Sequence, residues 1–493
     1  MATNLSASTA GDILAPTVAS ASDAILNLIE GQAIPASSGG WLDKFRPADG
    51  TRLCRVARSG ADDVAVAVAA AQTAQPTWAE RTAVERGEIL RELALALRER
   101  REEASEIVVE ETGKPLELAL AETDAAVEMG LFVAGEGRRF YGRTTTASMP
   151  NRTVMTMRQP LGVAALVMSF NTPLPNIAWK VFPAVFCGNA AVVKPSEETP
   201  ASAFFFCQLA LESGVPAGVL NLVQGLGSEA GSALVAHSEV DLVSFTGSAA
   251  TGRAINEVAG RRLAKVCLEL GGKNAFVVCD DADIENAVRW SLVSAFSNAG
   301  QRCAAASRLV IFDTVYEAFR DRLVEEAGRL TAEPVITEAS LERILAVVRS
   351  ATDDGATVLC GGARIDRPGW YLPPTVIEGA AASSEISCTE LFGPVTLLYR
   401  VRDLDEGIAL VNDSPYGLTC SIHTSSLHRA MRFAEKAQAG VVVVNAGTHG
   451  SEPHMGFGGV KQSGTGWREA GVEALDVYSD WKVVNLISDP ALT

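Results

Sequence analysis

Short apolar segments alternate with helical segments along most of this chain, and this alternation limits the folds that the chain can adopt. Buried strands are predicted at residues 161–168, 190–193, 220–223 and 241–245. Helices are predicted between them at residues 201–213 and 228–237. Strands and helices in this order, joined by short turns, predict βαβ units and a parallel sheet.

A second series of the same kind follows after a break near Val266. Strands are predicted at residues 275–278, 308–312, 395–398, 420–423 and 440–444, and helices at 284–297, 315–330 and 427–437. The predicted fold class is therefore α/β, with two Rossmann-like open parallel-sheet domains. The first would comprise residues 21–140 and 158–266, and the second residues 267–473.

Two segments fall outside these halves. Residues 141–157 are polar, Thr-rich and alternating enough to form a strand, and residues 474–487 contain a suitable partner strand. A small sheet is therefore predicted from residues 141–157 and 474–493. Residues 1–20 are rich in Ala, Ser and Thr and contain no Lys or Arg, which predicts a loosely ordered leader and no targeting signal.

Charge and composition exclude several classes of partner. The net charge of −17 argues against nucleic acid, because phosphate binding needs a basic surface. No apolar run is long enough to cross a membrane. Nine scattered cysteines and five histidines without ligand spacing predict reduced thiols and no metal site. We therefore expect a cytoplasmic protein.

Cys303 and Glu269 are the residues best suited to chemistry. Cys303 follows the polar stretch 298–302, and Glu269 begins the sequence Glu-Leu-Gly-Gly-Lys at 269–273. Covalent catalysis on a carbonyl needs a nucleophile and a base that activates the water releasing the product. The alanines at 304–306 predict a helix after Cys303, and a thiol at its N-terminus beside Arg302 would have a favoured thiolate.

These residues also have purely structural interpretations. Cys303 could be a buried thiol, and Glu269 could cap a helix or pair with Lys273. Asn171 follows a predicted strand, where an Asx turn is common. The residue types alone leave both interpretations open.

Three turns at the ends of first-half strands carry groups suited to a nucleotide: residues 169–171, 194–200 and 244–252. Ligands of open α/β sheets bind outside the carboxyl ends of the strands. Gly247 and Gly252 frame a strand-to-helix turn whose helix N-terminus could face a pyrophosphate. Lys194 and Glu197 could bind the hydroxyls of a ribose, or form only a surface ion pair.

Several motifs in order resemble those of the aldehyde dehydrogenase superfamily, from about Gly40 to Val484. They are Lys-Pro-Ser-Glu at 194–197, Pro-Ala-Gly-Val-Leu-Asn at 216–221, Phe-Thr-Gly-Ser at 245–248, Glu-Leu-Gly-Gly-Lys at 269–273, the cysteine stretch 296–308, Glu-Leu-Phe-Gly-Pro at 390–394 and Phe-Gly-Gly-Val-Lys-Gln-Ser-Gly at 457–464. The resemblance implies that the first predicted domain binds NAD, the second is catalytic, and the small sheet joins subunits.

The resemblance also assigns catalytic roles. Cys303 would attack the aldehyde, and Asn171 with the backbone N–H of Cys303 would form the oxyanion hole. Hydride transfer would leave a thioester, and Glu269 would activate the water that hydrolyses it. Lys180 and Glu469 match positions of a proton relay in some members.

The implied cofactor is NAD, with NADP as the alternative. Glu197 suits a free 2′-hydroxyl and would repel a 2′-phosphate. Glu390 would bind the nicotinamide ribose and Phe392 would pack against the ring. The complete set of expected cofactor residues is Ser169, Phe170, Lys194, Ser196, Glu197, Gly225, Phe245, Thr246, Gly247, Ser248, Thr251, Leu270, Gly271, Glu390 and Phe392.

The chain departs from the family pattern at three places. Phe170 replaces the commonest aromatic residue, tryptophan, and residues 331–336 replace a longer loop that lies on the surface in relatives. The expected substrate mouth is more polar than in many relatives and consists of Thr172, Asn176, Arg302, His449, His454 and Phe457. A polar mouth predicts a polar or anionic aldehyde such as a semialdehyde, unless these are merely solvated loop residues.

Two other functions compete with hydrolytic aldehyde oxidation. A CoA-acylating semialdehyde dehydrogenase would pass the acyl group to CoA, but such relatives usually lack the glutamate found at Glu269. A non-catalytic binding or structural protein on the same fold would be expected to lose Cys303, Glu269 or Asn171. Edge-to-edge pairing of the small sheet predicts a homodimer or homotetramer.

Overall fold

The computed structural model describes residues 24–488, so the predicted leader at residues 1–20 lies outside the described residues. The strands are β1 Ala24–Ile25, β2 Asn27–Ile29, β3 Gln32–Ile34, β4 Trp41–Phe45, β5 Arg52–Ala57, β6 Thr144–Thr145, β7 Arg152–Pro160, β8 Val163–Val167, β9 Ala190–Lys194, β10 Leu220–Leu222, β11 Leu242–Gly247, β12 Lys265–Leu270, β13 Asn274–Val278, β14 Ala306–Phe312, β15 Thr357–Cys360, β16 Thr375–Glu378, β17 Val395–Val401, β18 Tyr416–Gly417, β19 Thr419–His423, β20 Val441–Val444, β21 Val460–Lys461 and β22 Ser479–Ile487.

The helices mostly follow the predicted periodicity. They are α1 Ala61–Glu80, α2 Ala83–Glu99, α3 Arg101–Thr112, α4 Leu116–Ala134, α5 Pro173–Phe186, α6 Pro200–Glu212, α7 Ser232–Ala236, α8 Ala249–Gly260, α9 Ile284–Phe296, α10 Tyr316–Ala327, α11 Glu338–Asp353, α12 Glu385–Cys388, α13 Leu404–Asn412, α14 Leu427–Lys436 and α15 Ala474–Tyr478. A π-helical turn, Gly227–Gly231, precedes α7. None of the helices in residues 24–488 is long and apolar enough to span a membrane.

The first sheet has seven strands in the order β12-β11-β8-β9-β10-β2-β3. The five strands from β12 to β10 are parallel, and β2 and β3 add an antiparallel edge. β8 and β9 are buried along their whole length because helices cover both faces, which is why they are continuously apolar. One face packs against α2, α4, α5 and α6, and the other against α1, α7 and α8.

The change from the first sheet to the second comes later than the sequence predicted. All six residues of β12 pair with β11, from Lys265 opposite Leu242 to Leu270 opposite Gly247. The predicted boundary near Val266 therefore cuts through a strand of the first sheet. The structure places the change of sheet after Leu270, which puts Glu269 on the first sheet.

The second sheet also has seven strands, in the order β15-β16-β17-β14-β13-β19-β20. Its strands are parallel except for the edge pair β15 and β16. Helices α9 and α10 cover one part of it, α11 another, and α13 and α14 a third. The predicted α/β architecture with two open parallel sheets is confirmed.

A small three-stranded sheet has the order β22-β7-β6. Nine residue pairs join β7 and β22, from Ser479 opposite Pro160 to Ile487 opposite Arg152. The outer strand is shorter than the segment predicted for it, because Ala474–Tyr478 forms the helix α15. β7 in turn extends three residues beyond the predicted limit at residue 157.

Candidate active site

Cys303 lies in a turn directly before β14 and does not begin a helix, contrary to the prediction. Ala306 already pairs with Asn274 of β13, so the ladder of the second sheet overrides the helix propensity of the alanines. The Asn274 side-chain amide donates to the carbonyl oxygens of Cys303 at 2.7 Å and Ala305 at 2.9 Å. These bonds fix the backbone of the turn against β13.

The prediction of a favoured Cys303 thiolate is also wrong for this structure. Burial raises the pKa of the Cys303 thiol to about 12, and the nearby carboxylates of Glu390 and Glu269 act in the same direction. Arg302 and the backbone N–H of Ala304 lower the pKa, but by less than burial raises it. The thiol therefore needs a base to become a nucleophile at neutral pH.

The side-chain amide nitrogen of Asn171 makes no hydrogen bond among the described residues. The side-chain oxygen accepts a hydrogen bond from Asn176 Nδ2 at 3.3 Å, which leaves the Asn171 nitrogen available as a donor. The Asn171 backbone carbonyl accepts from Lys114 Nζ at 2.8 Å and from Asn298 Nδ2 at 3.0 Å. Because Asn298 belongs to the cysteine loop, Asn171 is tied to the same loop as the thiol.

Glu269 lies near the end of β12 and is 5% exposed. Neither carboxylate oxygen has a hydrogen-bond partner among the described residues. Burial raises the pKa of Glu269 well above its ordinary value, and the neighbouring carboxylate of Glu469 raises it further. The structural alternatives fail, since Glu269 is inside a strand and Lys273 donates to the carbonyl of Thr389 at 2.9 Å.

Lys180 and Glu469 form a buried ion pair 2.5 Å long beside Glu269. Ser244 Oγ also donates to the Glu469 carboxylate at 2.7 Å, and Tyr478 donates its hydroxyl hydrogen to Ser244 at 3.1 Å. All four side chains are buried. Hydrogen bonds therefore join these four side chains into one buried cluster inside the first domain.

The expected cofactor residues lie at the carboxyl ends of three neighbouring strands, β11, β8 and β9. After β9, Lys194 lies 3.5 Å from the carboxylate of Glu197. After β11, Ser248 Oγ accepts from the Thr251 N–H at 3.2 Å and caps α8. A Cβ at Gly252 would stand 2.6 Å from Leu270 Cδ2, so α8 packs closely on β12. A helix N-terminus beside a lysine–glutamate pair fits a dinucleotide.

The remaining cofactor candidates surround this edge. Gly225 has a φ of 125°, and a Cβ there would meet the Ser59 nitrogen at 3.0 Å. Glu390 accepts from the Gly272 N–H at 3.1 Å, and burial raises its pKa to about 7. Phe170 and Phe392 meet edge to face with their ring centres 5.6 Å apart. The other expected cofactor residues differ in burial. Half-buried are Ser169, Ser196, Thr246 and Gly247. Fully buried are Phe245, Leu270 and Gly271.

The structure brings only part of the predicted substrate mouth together. Arg302 Nε donates to Ser297 Oγ at 3.2 Å, and the Arg302 charge reaches His449, whose pKa burial lowers to about 4. The Nδ1 atom of His449 is buried without a hydrogen-bond partner among the described residues. His454 is instead exposed beside Glu452, 3.5 Å away.

The other three mouth candidates differ in their environment. Phe457 packs edge to face against Trp179, with ring centres 5.5 Å apart. Thr172 is half-buried and precedes α5 without capping it. Asn176 is turned towards Asn171 and the Ser169 carbonyl, which it reaches at 3.2 Å.

The short segment 331–336, which replaces a longer surface loop of relatives, is largely buried. Pro334, Val335 and Ile336 are buried, and the segment packs under the loop that leads to Cys303. Its carboxylate at Glu333 accepts from the Ala299 N–H at 3.0 Å. A shorter connection brings this part of the chain directly against the catalytic loop.

A model of the aldehyde dehydrogenase family matches residues 34–484. The chain is 36% identical over 465 residues to a succinate-semialdehyde dehydrogenase [NADP(+)] of Escherichia coli (strain K12), covering 92% of this chain and 96% of that protein. It is 34% identical over 474 residues to an alpha-ketoglutaric semialdehyde dehydrogenase of Bacillus subtilis (strain 168), covering 93% and 97%.

Solved structures of the same family are also similar to this chain. A betaine aldehyde dehydrogenase of Staphylococcus aureus, crystallised in complex with NAD+, superposes with a TM-score of 0.92 at 32% identity, covering 94% of this chain and 95% of that one. The chain belongs to the aldehyde dehydrogenase family. The predicted family membership and the prediction of an oxidoreductase of this family are confirmed.

Several residues of the site were missed from the sequence: Lys114, Asn274, Asn298, Glu333 and Tyr478. Asn274 follows the 269–273 motif directly and Asn298 lies in the cysteine stretch, so proximity to those motifs was a usable signal. Lys114 follows a glycine and precedes a proline at the end of a helix, which predicts only a turn. Nothing in the sequence indicates Glu333 or Tyr478, because their contacts are long-range.

Proposed function

We propose that this protein oxidises an aldehyde to the carboxylic acid with NAD+ and water, using Cys303 as the nucleophile. The observation that carries the proposal is the junction of two loops at the edge of the sheets. Asn298 of the cysteine loop bonds to the Asn171 carbonyl at 3.0 Å, and Glu269 is close enough to raise the pKa of Cys303. Nucleophile, oxyanion donor and base thus share one site.

Each residue has a role in two successive steps. The Cys303 thiol loses its proton to water and its sulfur adds to the carbonyl carbon, while the Asn171 amide and the Cys303 backbone N–H donate to the oxyanion. Each such donor stabilises the transition state by about 3 kcal/mol. NAD+ held at the carboxyl ends of β8, β9 and β11 would supply the acceptor for the hydride. Glu269 then takes a proton from the water that attacks the thioester, and Lys180 with Glu469 can pass that proton on.

NAD+ is the proposed cofactor because of Glu197. Its carboxylate lies 3.5 Å from Lys194, where it can accept from ribose hydroxyls and would repel a 2′-phosphate. The relatives differ in cofactor: the E. coli relative is named for NADP(+), and the S. aureus structure holds NAD+. We expect Glu197→Gln to raise the ratio of kcat/KM for NADP+ to that for NAD+ by about tenfold.

A small anionic aldehyde is the proposed substrate class. Arg302 lies beside Cys303, and its guanidinium makes one hydrogen bond among the described residues, to Ser297. Two relatives are named for succinic and alpha-ketoglutaric semialdehydes, whose distal carboxylates such a guanidinium could bind. Others are named for benzaldehyde and lactaldehyde, so the proposal depends on Arg302.

The substrate class is tested by comparing succinic semialdehyde with butanal, which has the same chain length but no charge. Arg302→Leu should lower kcat/KM for the semialdehyde by about tenfold to a hundredfold and change that for butanal little. Arg261→Leu is the matched control, since this exposed arginine pairs only with Glu257 among the described residues. An equal loss for both aldehydes would show that Arg302 does not bind a carboxylate.

The small sheet is the proposed subunit contact. β22 forms its edge, and Val483, Leu486 and Ile487 on this strand are exposed. An exposed apolar edge strand pairs readily with another chain, so we propose a homodimer or homotetramer. Light scattering of the purified protein measures the assembly, and a monomer at micromolar concentration would contradict it.

The proposed function is tested by following NADH absorbance with NAD+ and a panel of short aldehydes and semialdehydes, without CoA. We expect acid formation that Cys303→Ser abolishes. Cys360→Ser is the control, because this thiol lies on β15 at the far edge of the second sheet. A requirement for CoA would favour the acylating alternative. If no aldehyde of the panel gave NADH, a non-catalytic protein would be favoured.

A further inference from the structure

The loop before Cys303 contains three consecutive residues in the left-handed region. Their φ angles are 57° at Asn298, 52° at Ala299 and 66° at Gly300. This conformation costs a residue with a Cβ about 1–2 kcal/mol, so Asn298 and Ala299 are strained. All three are buried, and such a turn persists only where its surroundings hold it.

One side of the turn is attached to Asn171. Asn298 Nδ2 donates to the Asn171 carbonyl at 3.0 Å and to the Gln301 carbonyl at 3.3 Å. Lys114, whose ammonium also bonds to Glu122 at 2.7 Å, donates to the same Asn171 carbonyl at 2.8 Å. The position of the Asn171 backbone therefore depends on the conformation of the turn.

The other side of the turn is attached to the short segment after α10. The carboxylate of Glu333 accepts from the Ala299 N–H at 3.0 Å, and the Ile336 N–H donates to Gln301 Oε1 at 2.9 Å. In a left-handed turn the Ala299 N–H has no helix or strand partner. Leaving such a buried group unpaired costs about 1–3 kcal/mol.

The charge of Glu333 is balanced by cations on both sides of the loop. Burial raises the pKa of Glu333, while Lys114 and Arg302 nearby act in the opposite direction. Lys114 holds Asn171 and Arg302 adjoins Cys303. Glu333 thus interacts with the residues that flank both reactive groups.

We propose that Glu333 is a positioning residue, whose carboxylate holds the Ala299 N–H and thereby fixes the turn that places Cys303 and Asn171 relative to each other. Glu333 makes no bond to the aldehyde and exchanges no proton in the reaction. This inference rests on the proposed function, in which Cys303 and Asn171 act on the same carbonyl group.

The test compares three substitutions. Glu333→Ala removes the acceptor, Glu333→Gln keeps an acceptor oxygen without the charge, and Glu333→Asp keeps the charge but is one methylene too short. Misplacing a reacting group by about 1 Å can cost about a hundredfold in rate, so we expect kcat to fall by roughly that factor in Glu333→Ala. The KM for NAD+ should stay within about twofold, because the cofactor residues do not contact Glu333.

Glu333→Gln should recover kcat to within about fivefold of the unsubstituted protein, since a neutral acceptor still bonds the N–H. Glu338→Ala is the matched control, because Glu338 lies five residues later, is exposed and pairs with Arg364 at 3.1 Å. Equal losses in the Gln and Ala variants would overturn the proposal, as would full activity in a folded Ala variant. If the Ala variant fails to fold, wild-type kcat in Glu333→Asp would overturn it.

A second readout needs no turnover. The rate of Cys303 alkylation by iodoacetamide, followed by mass spectrometry of the Cys303 peptide, reports the position and environment of the thiol. We expect a change of about tenfold in Glu333→Ala and near-normal rates in Glu333→Gln. If no aldehyde is oxidised but alkylation still depends on Glu333, the proposed function fails and the positioning role stands.

Discussion

The turn that begins α8 is largely exposed and the turn that leads to Cys303 is buried, and the two are stabilised in different ways. The first is held by its own residues, because Ser248 caps the helix by accepting from the Thr251 N–H. The second is left-handed and is held by Asn171 and Glu333, which lie 127 and 34 residues away along the chain.

The comparison shows what each kind of turn permits. The conformation of a locally stabilised turn depends on its own residues. Such a turn suits a cofactor that stays the same while substrates differ. A turn stabilised by distant side chains depends on several elements at once. Substitutions around the cysteine turn should therefore affect catalysis from positions that never contact a ligand.

The largest effect is expected at Glu269, which lies opposite Thr246 in the ladder between β12 and β11. Glu269→Gln should still release about one equivalent of NADH in a burst, then turn over about 10³-fold more slowly, because thioester hydrolysis loses its base. The pKa of Glu269 is raised by burial and by Glu469. The active base is the ionised form, so the steady-state rate should rise as pH rises through that pKa.

Stopped-flow and steady-state NADH measurements across pH check this prediction. The Gln variant should lose the rise with pH, because an amide does not titrate. A variant that keeps the wild-type pH profile would show that another group is the base.

The next effect is expected at Gly300 in the cysteine turn. A Cβ there would overlap the carbonyl oxygen of Gly393, and the φ of 66° disfavours any other residue. Gly300→Ala should therefore lower the free energy of unfolding by about 3 kcal/mol. Urea denaturation measures it, with Gly260→Ala as the control, since nothing lies within 4 Å of a Cβ at that position. Equal stabilities would contradict the tight packing of this turn.

A smaller effect is expected at Gly252 in the cofactor turn. A Cβ there would stand 2.6 Å from Leu270 Cδ2, but the leucine side chain can shift where a backbone carbonyl cannot. We expect Gly252→Ala to destabilise the protein by about 1 kcal/mol. It should also weaken NAD+ binding about tenfold by moving α8. Calorimetric titration measures the affinity for NAD+. An unchanged Kd would show that the position of α8 does not affect cofactor binding.

The smallest effect is expected from Ala299→Gly. Glycine adopts the φ of 52° without strain, but this gain is offset by the lost methyl group and by the greater freedom of the unfolded chain. The free energy of unfolding should change by less than about 1 kcal/mol.

The Ala299→Gly substitution is most informative when it is combined with Glu333→Ala. If Glu333 counteracts strain at Ala299, the loss caused by Glu333→Ala should be smaller in the glycine background. A double-mutant cycle on kcat measures this coupling, and strict additivity would mean that the two residues act independently.

The same comparison explains how much could be predicted from the sequence. The α/β class, most strands and helices and the α8 turn depend on local patterns, so alternation and glycine spacing sufficed. Cys303 and Glu269 were found from the sequence stretches around them, 298–306 and 269–273, and Asn171 was found because it follows a predicted strand. The roles of these residues remain proposals, although their positions are now fixed.

Where prediction failed, distant contacts decided the local structure. The alanines after Cys303 favour a helix, yet pairing of Ala306 with Asn274 extends a strand instead. The thiol pKa could not be predicted because burial by neighbouring loops sets it. The sequence indicated only that the packing of segment 331–336 would differ from that in relatives; its bonds to Ala299 and Gln301 depend on long-range contacts.

Tyr478 gives the C-terminal segment an unexpected sensitivity to shortening. Its hydroxyl group bonds to Ser244 inside the first domain, while the very next residue begins the exposed strand β22. A chain cut after residue 478 would lose strand β22 and the residues that follow it but would keep the phenol ring. A chain cut before residue 478 would also leave a void the size of a phenol ring beside the buried Ser244–Glu469 bond, and water entering there would compete for the hydrogen bonds through which the proposed function moves a proton away from Glu269.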